Sequence, residues 1–104
     1  MAVTYAIYFD VVPEQRGRFL SLLNGVLDAM RHEPMFHQAS LQQDGEHAHR
    51  FLLLETWEDH DDVLNNQLNR PYRQAYHHAL PELLTKPREI SVWTPLRADH
   101  RPQA

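Results

Sequence analysis

The chain has 104 residues, a hydrophobic content of 42% and a formal net charge of −4, which fits one globular domain with one core and offers no basic footprint for nucleic acid. Its 10 Lys and Arg are scattered among 14 Asp and Glu, so a polyanion is excluded as the expected partner. With no cysteine, disulfides, thiolate metal ligands and cysteine nucleophiles are excluded. The opening "MAVTYAIYFD" has no basic segment of the kind that starts a signal peptide, and no run reaches the roughly 18–20 apolar residues of a membrane span, so a cytoplasmic protein away from the membrane is expected.

The segment from Val3 to Val12 is rich in β-branched and aromatic residues and predicts a strand. Tyr5, Ile7 and Phe9 share one face, Ala6 and Tyr8 the other. Apolar residues on both faces imply that both are covered. Pro13 suits a first helical position and Glu14 the positive end of the helix dipole. Phe19, Leu22, Leu23, Val26, Leu27 and Met30 then recur at helical spacing. Gly17 and Gly25 weaken this helix by roughly 1 kcal/mol each and would let it lie close to a sheet. It should stop before Pro34.

"MFHQASLQQ" (35–43) predicts an edge strand, with Gln38, Ser40 and Gln42 on a wet face. "DGEH" is a turn signal, and "HRFLLLETW" (49–57) a second strand, apolar on both faces and paired with the first as a hairpin. Asp59 is placed to cap the next helix, whose apolar face is Val63, Leu64 and Leu68. Arg70-Pro71 interrupts it. A second segment puts Tyr72, Tyr76, Ala79 and Leu83 on one face until Pro81 ends or kinks it. "REISVWTPL" (88–96) is the last strand.

The order strand, helix, strand, strand, helix, strand is that of an α+β, ferredoxin-like βαββαβ sandwich over residues 1–97, with a polar tail at 98–104. Two helices cover one face of a four-stranded sheet. The other face is too apolar to stay exposed on a monomer, so a homodimer, sheet against sheet, is expected.

Candidate chemistry is sparse. His77 and His78 diverge by about 100° on a helix, His47 and His49 flank a turn, and His32, His37 and His60 are isolated. None has the i,i+4 spacing of a helical metal pair, so no metal site is expected. Glu55 and Trp57 lie two apart and so on one strand face. Glu55 reads as a buried base or as half of an ion pair with an arginine such as Arg88.

The combination of "FLLLETWED", "RPYRQAY" and "LLTKPREISVWTPL" resembles the antibiotic biosynthesis monooxygenase domain family, whose members form dimeric α+β barrels. The resemblance implies a cavity between sheet and helices and a cofactor-independent oxygenase acting on a quinol or phenolic aromatic. Trp57 would then be a stacking wall or plain core packing. Tyr72 and Tyr76 would be donors to a phenolate, His60 or His77 the proton acceptor, and Glu55 and Tyr5 further substrate contacts. A non-enzymatic barrel that binds a small apolar ligand, or a stress-associated one, is the competing class. Haem degradation, a third branch of the superfamily, fits less well. The first strand lacks an asparagine, and the axial position falls on Tyr76 with His77 one place along. Many relatives carry a histidine where this chain has Gln67, which puts a base at that position in doubt.

Overall fold

The computed structural model describes residues 1–102. Four strands form one antiparallel sheet. They are β1 (Val3–Asp10), β2 (Phe36–Gln43), β3 (Arg50–Trp57) and β4 (Glu89–Trp93), in the spatial order β2-β3-β1-β4. The helices α1 (Arg16–Met30), α2 (His60–Asn65) and α3 (Gln74–Leu83) complete the α+β, ferredoxin-like arrangement. Single 3-10 turns occupy Pro13–Gln15, Gln67–Asn69 and Pro71–Arg73. Residues 98–102 carry no regular structure; the last two residues of the expected tail, 103 and 104, lie outside the described residues.

Pleating decides which residues enter the core. On β1, Val3, Tyr5, Ile7 and Phe9 are buried, and on β3 Phe51, Leu53, Glu55 and Trp57. The register sets Phe9 opposite Phe51, Ile7 opposite Leu53, Tyr5 opposite Glu55 and Val3 opposite Trp57. Helix α1 covers this face with Phe19, Leu23, Val26 and Met30, a stripe at i, i+4, i+7 and i+11. Helix α3 adds Tyr76, Ala79, Leu80 and Leu83. The Asp59 carboxylate accepts from the Asp62 backbone N–H at 2.9 Å and so caps α2.

Several boundaries differ from the sequence expectation. Strand β1 ends at Asp10, because Val11 turns away to bridge Leu84. Strand β4 stops at Trp93, short of the expected Leu96. Pro81 does not end α3, which runs on to Leu83; burial of Leu83 and acceptance by its carbonyl from the Val12 N–H at 2.8 Å hold the last turn. Gly17 and Gly25 make no close approach, since a Cβ at either would meet nothing within 4 Å. The second helical region is two helices, so Tyr72 lies in the Pro71–Arg73 turn, outside the helix that carries Tyr76.

The helices leave β4 only partly covered. Ile90 and Val92 face the same side as Ile7 and Tyr5 yet are 51% and 58% exposed. On the opposite sheet face Tyr8, Leu54 and Trp93 are exposed, bordered on β2 by exposed Gln38, Ser40 and Gln42. The expected apolar face is therefore a band across β3, β1 and β4, with a polar margin on β2.

Candidate functional site

A cavity of about 190 Å³ lies between the sheet and the three helices. Its walls are mostly apolar, including Ile7, Leu23, Leu53 and Val63. Six polar side chains enter it, namely Tyr5, Glu55, His60, Arg73, Tyr76 and Arg88. Two larger grooves, of about 490 and 610 Å³, have mostly exposed or half-exposed linings. Convergence of six polar groups, four of them buried, on a small apolar chamber makes this cavity the candidate site.

The sheet register assembles half of it. Tyr5 and Glu55 are cross-strand partners on one face, and Tyr5 also faces Val92 of β4. The Tyr5 hydroxyl is 2.7 Å from His60 Nδ1. His60 is the first residue of α2, so the Asp59 cap sets where its ring lies. Burial raises the Tyr5 phenol pKa, and the negative charges of Glu55, Asp59 and Asp61 push it the same way. Tyr5 thus keeps its proton and passes hydrogen bonds between the cavity and a half-buried imidazole.

Glu55 is 6% exposed. Its Oε1 accepts from the Trp57 indole N–H at 3.2 Å. Burial raises its pKa, opposed first by Arg73, then by the Trp57 hydrogen bond and by Arg88. The expected ion pair with Arg88 is not formed; that guanidinium instead donates from Nη1 to the Tyr76 hydroxyl at 3.3 Å. Burial pushes the Tyr76 phenol up to about 12, against the pull of Arg88. Its own O–H remains available to donate.

The remaining expected site residues lie elsewhere. Trp57 is fully buried, packed edge-on against Phe36 with ring centres 5.3 Å apart, and it backs Glu55 rather than lining the cavity. Tyr72 does not line the cavity but packs behind Arg73, and its hydroxyl has no protein partner. His77 belongs to the groove beside Pro81, Leu84 and Pro87, where burial lowers its pKa, as do Arg88 and Arg73. One residue of helical rotation separates it from Tyr76 and turns it out of the chamber. Gln67 is 1% exposed and donates from Nε2 to Asp62 Oδ2 at 3.0 Å, so it braces α2. Among the described residues no three His, Asp or Glu side chains converge as metal ligands.

Arg73 is the residue that sequence reasoning missed. It is 4% exposed, three residues before Tyr76 on the stripe continued by Leu80 and Leu83. An arginine on an otherwise apolar helical stripe was the available signal. The turn that presents it is fixed by Arg70, which reaches Glu33 beyond α1 at 3.1 Å.

The family model described as "Antibiotic biosynthesis monooxygenase" matches residues 2–79, a span that holds every polar cavity residue except Arg88. A protein of Pestalotiopsis microspora, provisionally named a monooxygenase, is 31% identical over 94 residues, 89% of this chain and 78% of its own length. An uncharacterised Synechocystis protein is 28% identical over 83 residues, 80% of this chain but only 56% of its own length. Among solved structures, Rv0793 of Mycobacterium tuberculosis superimposes with a TM-score of 0.85 at 22% identity, covering 96% of this chain and 100% of that one. SnoaB of Streptomyces nogalater, described as a cofactor-independent oxygenase, gives 0.78 at 22% identity, covering 93% of this chain and 95% of that one. With the family model spanning most of the sequence and the fold in agreement, the chain belongs to the antibiotic biosynthesis monooxygenase family.

Proposed function

We propose that this protein is a cofactor-independent monooxygenase that acts on a quinol or phenolic aromatic compound. The observation that carries the reading is the 2.7 Å contact of the Tyr5 hydroxyl with His60 Nδ1 at the wall of an apolar cavity. A phenol bound there finds a hydrogen-bonded route from its hydroxyl to an imidazole. His60 takes the proton through Tyr5, and the substrate becomes an electron-rich anion. The Tyr76 hydroxyl, held by Arg88, donates to the developing oxyanion. Dioxygen then adds to a ring carbon and accepts its electrons from the substrate. One oxygen atom stays in the product and the other leaves as water, so a quinol and dioxygen give a hydroxyquinone and water. The apolar walls exclude solvent from the intermediate. The names of the Pestalotiopsis and Streptomyces relatives support this class of reaction.

The working form in this proposal is a homodimer. The exposed band of Tyr8, Leu54 and Trp93 is the surface a second copy would cover, at about 1,000 Å² or more of total burial. Sedimentation of a well-folded monomer at micromolar concentration would refute that part.

Oxygen-electrode measurements with a panel of benzohydroquinones, naphthohydroquinones and naphthols test the activity. The expected result is uptake that falls about 100-fold or more in His60→Ala, with Tyr5→Phe intermediate. A panel that consumes no oxygen, yet still shifts the melting temperature, would overturn the enzyme reading in favour of a ligand-binding barrel.

A further inference from the structure

The proposed reaction has no task for Arg73, and its surroundings are unusual for a cation. It is 4% exposed, so its guanidinium is removed from water. Among the described residues no carboxylate lies within 4.0 Å of it. Nη2 donates only to the Met30 thioether at 3.7 Å, a weak acceptor, and Nε has no protein acceptor. The rings of Trp57 and Tyr72 lie 5.7 and 5.8 Å from its central carbon. They stabilise the charge but leave N–H donors unused.

The same side chain lines the cavity, where the charge balance is positive. Arg88 is a second cation on the wall, already engaged by Tyr76. Glu55 is the acid of the chamber, its Oε1 is taken by Trp57, and burial favours its neutral form. A largely apolar, partly open chamber with two guanidiniums and a carboxyl driven toward neutrality favours an anion. The forked N–H geometry of arginine matches a planar carboxylate. The volume of about 190 Å³ lies below the roughly 300–1,000 Å³ of drug-sized pockets, which suits one ring or two fused rings.

We infer that the cavity selects a small aromatic carboxylate, and that Arg73 is the residue that recognises its carboxylate. That the ligand is also the oxidised phenol rests on the oxygenase reading; the anion subsite does not. A hydroxylated aromatic acid would present its hydroxyl to Tyr5 and its carboxylate to Arg73.

Calorimetric titration separates the two ideas, because it needs neither turnover nor oxygen. The probes are 2-naphthoate and the neutral isostere 2-naphthamide, added to the intact protein at pH 8. Wild type should bind the naphthoate about 10–100-fold more tightly. Arg73→Met should abolish that preference while leaving naphthamide binding in place, and Arg73→Lys should restore part of it. Equal affinities in wild type, binding of neither probe, or a preference that survives Arg73→Met would each overturn the inference. Should Arg73→Met fail to fold, Arg73→Lys carries the test: an undiminished preference there would show that the forked guanidinium is not the recognising group. Oxygen uptake that fails with every phenol, alongside a naphthoate preference that depends on Arg73, would sink the oxygenase and leave the subsite.

Discussion

Strands β1 and β3 carry two different cores on one face. At one end Phe9 and Phe51 meet Phe19 of α1, with ring centres 5.0 and 5.2 Å from it. At the other end, two register steps further along, Tyr5 and Glu55 meet Arg73 and Tyr76. Both ends are buried. The phenylalanine end has no polar atom to satisfy, and its geometry is decided by packing. The tyrosine end buries ionisable groups that share few direct bonds, which costs stability and shifts their proton affinities. Depth of burial therefore does not separate scaffold from site; the unmet polar demand does.

The contrast can be broken first at the aromatic end. Phe19→Ala should cost about 3–5 kcal/mol, read as a lower denaturant midpoint, with proton chemistry at Tyr5 unaffected in whatever fraction stays folded. A smaller loss, below about 1 kcal/mol, would mean that the phenylalanine cluster is not what holds α1 to the sheet.

At the polar end the sign should reverse. Burial raises the Glu55 pKa, so the folded state binds its proton more tightly than the unfolded chain does. The destabilisation is complete above the folded pKa and disappears as pH falls toward the unfolded value near 4.5. Glu55→Gln should accordingly stabilise the protein at pH 8 by about 1–3 kcal/mol, and the gap should close as the pH is lowered toward that value. A variant less stable at pH 8 would show that Arg73 outweighs desolvation and that Glu55 works as a buried counter-ion.

Tyr76→Phe sharpens the comparison further. It removes the acceptor of the Arg88 hydrogen bond and should cost about 0.5–1.5 kcal/mol of stability. Any oxygenase turnover should fall by about 100-fold through loss of an oxyanion donor. The disproportion between a small stability effect and a large rate effect is the mark of a site residue. Equal, small effects on both would reassign Tyr76 to packing.

The smallest effect belongs outside both ends. Gly25 is exposed on α1 with open space at its missing Cβ, so Gly25→Ala should stabilise by about 0.4–1 kcal/mol. A loss instead would indicate that this helix surface meets something in solution.

Much of this was legible in the chain. The strand–helix order followed from the apolar periods of Val3–Val12 and Phe19–Met30, and the Asp59 cap from its position before an apolar run. Trp57 and Glu55 were correctly assigned to one face, because pleating has a fixed period of two. Tyr72 was misplaced beside Tyr76 because the Pro71–Arg73 turn was not separable from the helix after it. The helical period had already put Tyr76, Ala79 and Leu83 on the buried face, and it leaves His77 about 100° away from it, so naming His77 as an acceptor went against the local signal. Arg73 was passed over because a charged residue in an amphipathic segment is ordinarily assigned to solvent.

What the sequence determined by itself was the set of elements and the face each would bury, since hydrophobic period and cap chemistry act within one segment. The tertiary structure decided which polar side chains share a chamber. Tyr5 meets His60 across 55 positions of sequence, and Tyr76 meets Arg88 after the chain has left α3 and turned into β4. Such meetings depend on sheet register and on the angle at which helices settle, and those are set by packing over the whole domain at once.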